Sequence, residues 1–215
     1  MTQAVLFDLD GTLADTAPDL AYALNQMRLA RNLPVLPVSA TRAHTSSGAR
    51  GLLGAGLDVT PEHADFTAMR DEFLGIYENN ICRDTRLFPG MPELLDALDQ
   101  RGMAWGVVTN KAERFTHPLL RLLGLHDRAA CVVCGDTTPH TKPHPAPMFA
   151  AALAIGVPPG QCLYVGDDER DMLAGRAAGM RVAVASYGYL GNGKLPQDWD
   201  ADLWLNDPRE LLAFL

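Results

Sequence analysis

Apolar residues gather into five short runs, each ending in polar residues or glycine: 4–7 (AVLF), 104–108 (AWGVV), 131–133 (CVV), 162–165 (CLYV) and 181–185 (RVAVA). Continuous runs of this length suit strands buried on both faces of a parallel sheet. Helical periodicity lies between the later runs, at 91–101, 112–124, 145–156 and 168–179. Gly102, Gly124, Gly156 and Gly179 stand just past these segments, where a helix end favours a left-handed residue. Alternating strands and helices predict βαβ units and a doubly wound, Rossmann-like α/β core. A sixth short strand is expected at 203–205, with a last helix starting at Asp207 or Pro208.

The alternation breaks once. Between the first and second runs the chain holds no convincing strand, and 17–32, roughly 39–57 and 61–80 read as amphipathic helices. The expected organisation is a core of residues 1–16 and 84–215, with a helical cap inserted at 17–83. Arg83–Pro89 then serves as the return linker.

Ligands of an open parallel sheet bind beyond the carboxyl ends of its strands, so the polar residues after each run carry the chemistry. Asp8 and Asp10 follow the first run, then Gly11 and Thr12; Thr109, Asn110 and Lys111 follow the second. Lys142 lies beyond the third across a loop, and Asp167, Asp168 and Asp171 follow the fourth. Two carboxylates about 4 Å apart repel by about 4 kcal/mol at an effective dielectric of 20, so this rim requires a cation. Oxygen ligands without convergent His or Cys favour magnesium over zinc. An ionised Asp8 is then a nucleophile for phosphorus, Asp10 an acid and base, and Lys142 a counter-charge.

FDLDGTLADT (7–16), VVTNK (107–111), KPHPAP (142–147) and VGDDERD (165–171) resemble, in order, the four motifs of haloacid dehalogenase-like hydrolases. Within that superfamily the chain resembles the phosphoglycolate phosphatase-like group, which carries an α-helical C1 cap. The resemblance implies Asp8 as nucleophile and metal ligand, and Asp10 as acid/base and ligand through its carbonyl. It implies Thr109 and Asn110 as phosphate-binding, Lys142 as catalytic and phosphate-holding, Asp167 as metal ligand and Asp171 as a partner of metal-bound water. It further implies Mg2+ as cofactor and a small phosphate ester as substrate. Asp168 is left between orienting water and orienting Lys142.

The 44–50 loop, HTSSGAR, is where such caps contact the leaving group, so His44, Ser47 and Arg50 are the candidate substrate residues. SGAR, WGVVTNKAERF (105–115) and SYGY (186–189) also resemble N-acetylmuramic acid 6-phosphate phosphatases. A dehalogenase would not require Asp10, a Schiff-base mechanism needs a cap lysine where none precedes Lys111, and a mutase-type histidine is replaced by Leu20. A phospho-accepting receiver domain shares the acidic cluster but not the insertion.

Composition narrows the partners. The 215 residues are 47% hydrophobic and 20% charged with a net charge of −8, which disfavours nucleic acid and anionic membranes. No apolar run approaches the ~20 residues that span a bilayer. Asp8 and Asp10 interrupt the first run before a secretory core could form, so a cytoplasmic protein with reduced cysteines is expected. Cys131 and Cys134 form a C-x-x-C read as a buried strand. Asp15 is expected to cap the helix before Pro18. His117 and His126 are expected at the surface, and Trp105, Phe149 and Trp204 in packing roles.

Overall fold

The structure, a computed structural model, describes residues 2–191 and 193–215. Strands β1 (Ala4–Phe7), β4 (Ala104–Val108), β5 (Val132–Val133), β6 (Cys162–Gly166), β7 (Arg181–Ala185) and β8 (Leu203–Leu205) form one sheet in the order β5-β4-β1-β6-β7-β8. Every pairing in it is parallel. β1 lies in the middle, with Phe7 opposite both Val107 and Val165. The direction of winding reverses beside β1, which is where such sheets open a crevice.

Side chains of β1 alternate between two cores, as the pleat requires. Val5 and Phe7 pack with Leu94, Leu98, Trp105 and Leu119, from α5 (Met91–Gln100), β4 and α6 (Glu113–Leu122). Ala4 and Leu6 pack on the opposite face with Met148, Ala151 and Met172, from α7 (Ala146–Ile155) and α8 (Glu169–Ala177). Burying each such large side chain contributes roughly 1.5–3 kcal/mol relative to exposure. Gly102, Gly124, Gly156 and Gly179 all have positive φ and close these helices where the sequence places their ends.

Two short strands that the apolar pattern does not announce, β2 (Ala14–Asp15) and β3 (Arg86–Leu87), pair antiparallel. Between them lie α1 (Ala17–Ala30), α2 (Val38–Thr41), α3 (Gly48–Leu57) and α4 (Phe66–Asn79). These helices bury a third cluster, including Leu24, Met27, Leu52, Phe73 and Tyr77, which also receives Phe115 from α6. The helix expected at 39–57 is divided. A 3-10 segment occupies Arg42–Ser47, and Gly48, the first residue of α3, turns the chain at φ +59°. The last helix is likewise a 3-10 segment, Pro208–Ala213.

Two packing expectations are corrected. Trp105 is buried, but Phe149 and Trp204 are 47% and 45% exposed, because their positions on α7 and β8 face outward. No described helix is long and apolar enough to cross a membrane.

Candidate active site

The carboxyl ends of β1, β4 and β6 meet at the floor of a cavity of about 310 Å³ whose wall includes Asp8, Asp10, Thr109, Asn110, Lys142, Asp168 and Asp171. Carboxylate oxygens of Asp8, Asp167 and Asp171 lie within 4.8 Å of one another. One ammonium is set against them. Lys142 Nζ stands 3.0 Å from Asp8 Oδ1 and 2.7 Å from Asp171 Oδ1. It also donates to the Val108 carbonyl at 3.0 Å and the Tyr164 hydroxyl at 2.8 Å. Burial opposes its charge, yet Asp171 and Asp8 hold its pKa above the ordinary lysine value.

Three carboxylates against one ammonium leave negative charge in a dry place. Burial first, then Asp171 and Asp10, raise the Asp8 carboxyl to about 7 despite Lys142. Burial and the charges of Asp8 and Asp171 also push Asp167 well up. Carboxylates under this strain and no nitrogen or sulfur ligand are what a hard divalent cation relieves. The donor set therefore fits magnesium.

Asp167 is fully buried, and Thr12 Oγ1 and the Tyr189 N–H donate to it at 3.0 and 2.9 Å. Backbone approaches it so closely that a Cβ at Gly11 would overlap its carboxylate and one at Gly188 its Cβ. Gly11 also has φ +87°, a conformation that only glycine adopts freely.

Asp10 is placed apart from this triad. Its carboxylate takes Lys111 Nζ at 3.0 and 3.2 Å and the Thr16 hydroxyl at 2.5 Å. Thr109 is 3% exposed, and its hydroxyl accepts the Lys111 N–H at 3.2 Å. Asn110 and Lys142 are joined by two side-chain-to-backbone hydrogen bonds. Asp168 caps α8: its side chain accepts from the Arg170 N–H, while Asp171 accepts from the Asp168 N–H. Burial works against the Asp168 carboxylate, but the Arg170 guanidinium at 2.7 Å keeps its pKa below the ordinary value.

The candidates in the helical module divide. Ser47 lines the cavity. His44 belongs to the 3-10 segment and is not on the cavity wall. Arg50 is also off the wall, exposed on α3. A hydrogen bond with Thr60 lowers the Glu62 carboxyl, and the Arg50 charge assists. The helical rotation that buries Leu52 and Leu53 turns Arg50 outward.

Other expectations change too. The N-cap of α1 is Thr16, not Asp15. Asp15 instead pairs with Arg42 at 3.0 Å and accepts the Tyr189 hydroxyl at 3.0 Å. His117 and His126 are half-buried and bonded to one another at 3.1 Å. Cys131 and Cys134 flank β5, and burial pushes the Cys131 thiol up to about 12.

Sequence reasoning passed over Tyr164, whose hydroxyl contacts Lys142 and Asp171, and Tyr77 and Arg170 on the cavity wall. Tyr164 sits in an apolar run and Tyr77 on an amphipathic stripe, so nothing in the pattern separates them from packing residues. Arg170 lies inside the VGDDERD motif and was open to notice.

The model of the haloacid dehalogenase-like hydrolases matches residues 2–179. An N-acetylmuramic acid 6-phosphate phosphatase of Pseudomonas aeruginosa is 39% identical over 99% of this chain and 94% of its own. A phosphoglycolate phosphatase of Xanthomonas campestris is 43% identical over 97% and 94%. The solved structure of a predicted phosphoglycolate phosphatase from Haemophilus somnus superposes with a TM-score of 0.87 at 31% identity, covering 99% of this chain and 97% of that one. With a family match across most of its length and full-length relatives that are phosphatases, this chain belongs to the haloacid dehalogenase-like hydrolase family.

Proposed function

We propose that the protein is a magnesium-dependent phosphomonoester hydrolase working through an aspartyl-phosphate on Asp8. The observation that carries this reading is the Asp8–Lys142–Asp171 chain on the cavity floor, with Asp10 beside it. Magnesium would be held by Asp8, Asp167 and the Asp10 carbonyl and would supply charge neutralisation at the phosphoryl oxygens.

An Asp8 oxygen attacks phosphorus and the ester P–O bond breaks, with the electron pair leaving on the alcohol oxygen. A proton from Asp10 neutralises that oxygen. Asp10, now ionised, takes a proton from water as the water oxygen attacks phosphorus. The bond to Asp8 breaks and orthophosphate leaves. Lys142 offsets charge throughout, and Thr109 with the Asn110 N–H donates to the phosphoryl oxygens.

The substrate reading is a small ester whose alcohol bears a carboxylate, phosphoglycolate above all, as in the Xanthomonas relative. A second reading, N-acetylmuramic acid 6-phosphate, is favoured by the apolar wall of Leu20, Phe73, Leu74 and Phe115. A two-carbon acid leaves that wall unused, whereas an amido sugar has methyl groups to bury there.

The direct test is Asp8→Asn, nearly isosteric and lacking the nucleophile. Loss of p-nitrophenyl phosphate turnover with an unchanged melting curve is expected. Substantial turnover by the folded variant would exclude the covalent mechanism. A panel comparing kcat/KM for the two named esters decides between substrates.

A further inference from the structure

Two buried side-chain polar atoms have no hydrogen-bond partner among the described residues, the hydroxyls of Ser46 and Tyr77. Both residues line the cavity above Asp8. Tyr77 is only 1% exposed, and buried polar groups are bonded in the large majority of cases. Two orphans on one wall mark a place where a bound molecule supplies the partners. The Tyr77 ring is held edge-on to Phe115, 5.6 Å between centroids, with Lys111 Nζ 4.6 Å from its centre. The ammonium also lies near enough to the Tyr77 hydroxyl to interact with its oxygen, but an ammonium only donates, so the phenol proton is left for another acceptor.

Arg170 brings charge to the same place. It leaves the first turn of α8 and binds the Asp168 carboxylate through Nε at 2.7 Å and Nη2 at 2.9 Å. It then crosses to the helical module, where Nη2 donates to the Ser46 carbonyl at 2.6 Å. Nη1 has no hydrogen bond to any described group. The other cations of the cavity are committed, Lys142 to Asp8 and Asp171 and Lys111 to Asp10. A guanidinium with a nitrogen unspent among the described residues suits a carboxylate, and this one bonds the carbonyl of the residue that carries the orphan Ser46 hydroxyl.

We infer that Tyr77, Ser46 and Arg170 form the leaving-group subsite and select esters whose alcohol carries a carboxylate. Arg170 takes that carboxylate, and the two hydroxyls bond the remaining oxygens. The inference rests on the phosphatase reading and assigns its specificity to these three residues in place of Arg50.

The experiment uses two ester pairs that differ at the carboxylate: N-acetylmuramic acid 6-phosphate against N-acetylglucosamine 6-phosphate, and 2-phosphoglycolate against 2-hydroxyethyl phosphate. kcat/KM is measured for wild type, Arg170→Gln, Arg170→Lys and Tyr77→Phe, each with a melting curve. In the pair the wild type prefers, Arg170→Gln is expected to lower kcat/KM for the carboxylate member at least about tenfold, while the other member changes less than about threefold. Arg170→Lys restores part of the loss. Tyr77→Phe is expected to lose several-fold in kcat/KM with the melting temperature kept or raised, the sign of a hydroxyl whose partner is substrate. Equal losses on both members would overturn the inference and assign Arg170 to closing the helical module over the site. A Tyr77→Phe protein of lower melting temperature and full activity would overturn it as well. Asp8-dependent turnover of p-nitrophenyl phosphate without preference for either carboxylate ester would overturn the inference alone; absence of Asp8-dependent turnover on every ester would overturn the phosphatase reading beneath it.

Discussion

Asn110 and Lys142 hold one another by a reciprocal pair of hydrogen bonds: Asn110 Nδ2 donates to the Lys142 carbonyl at 3.0 Å, and the Lys142 N–H donates to Asn110 Oδ1 at 2.9 Å. The end of β4 thereby fixes the backbone that carries the site's central ammonium. Each such bond contributes about 0.5–1.5 kcal/mol net, so Asn110→Ala is expected to lower stability by about 1–3 kcal/mol. It should lower kcat more than it raises KM, since Lys142 is displaced from Asp8. Chemical denaturation and steady-state kinetics on p-nitrophenyl phosphate check both.

Among the described residues Lys142 is the ammonium paired with Asp8 and Asp171, so Lys142→Met leaves the Asp171 carboxylate, 1% exposed, without its counter-charge. Breaking a buried pair on one side costs about 3–5 kcal/mol. The variant is expected to melt far below wild type and to be inactive. Added magnesium should recover part of the melting temperature but none of the activity.

Metal-free protein should lose stability as pH rises. The native fold keeps Asp8 protonated to about 7, whereas its ordinary value is 3.8. Between these values the native state binds more protons than the unfolded chain, so the Asp8 contribution is full below about 4 and gone above about 7. Magnesium requires the carboxylate, so its stabilisation runs the other way. The magnesium-induced rise in Tm is expected to be small at pH 5 and to level off above about pH 7. A rise that shrinks with increasing pH would contradict the ligand set.

Gly11→Ala places a methyl group on the Asp167 carboxylate at a residue with φ +87°. Backbone strain alone accounts for about 1–3 kcal/mol. The expected result is a lower Tm and a weakened response to magnesium by thermal shift.

Replacing Cys131 and Cys134 together by Ala is expected to leave kcat/KM unchanged, with at most a packing loss in Tm. In the native wild type, Cys131 should react slowly with iodoacetamide at neutral pH, because burial pushes its thiol up to about 12. Stoichiometric zinc released on unfolding would refute the structural role.

The sheet was legible in the sequence because β1, β4, β6 and β7 are buried on both faces and so appear as unbroken apolar runs. Their polar ends, Asp8, Thr109 and Asp167, inherited that clarity. β2 and β3 escaped notice, since two-residue strands have no periodicity to read. The 3-10 segment Arg42–Ser47 escaped because charged and small residues carry no apolar stripe. Arg50 was chosen for its charge and its loop, but charge does not reveal which side of α3 faces the cavity. Arg170 stands among the carboxylates of VGDDERD, where a basic residue reads as their counter-charge rather than as a group for substrate.

The ribbon of Ala14–Asp15 with Arg86–Leu87 makes everything from Thr16 to Thr85 the loop of a single hairpin. The chain leaves and re-enters the core at two neighbouring strand ends, with Phe115 and Arg170 also reaching the excursion from the core, and closing a longer loop adds little entropy per residue. A different folded module with adjacent termini could be grafted onto the same stem with the order of the sheet untouched. Because Gly11 donates its N–H to the Ala14 carbonyl, such a graft would attach four residues from Asp10. The stem is thus one seam at which a module could be exchanged, provided the replacement also meets Phe115 and Arg170 from the core.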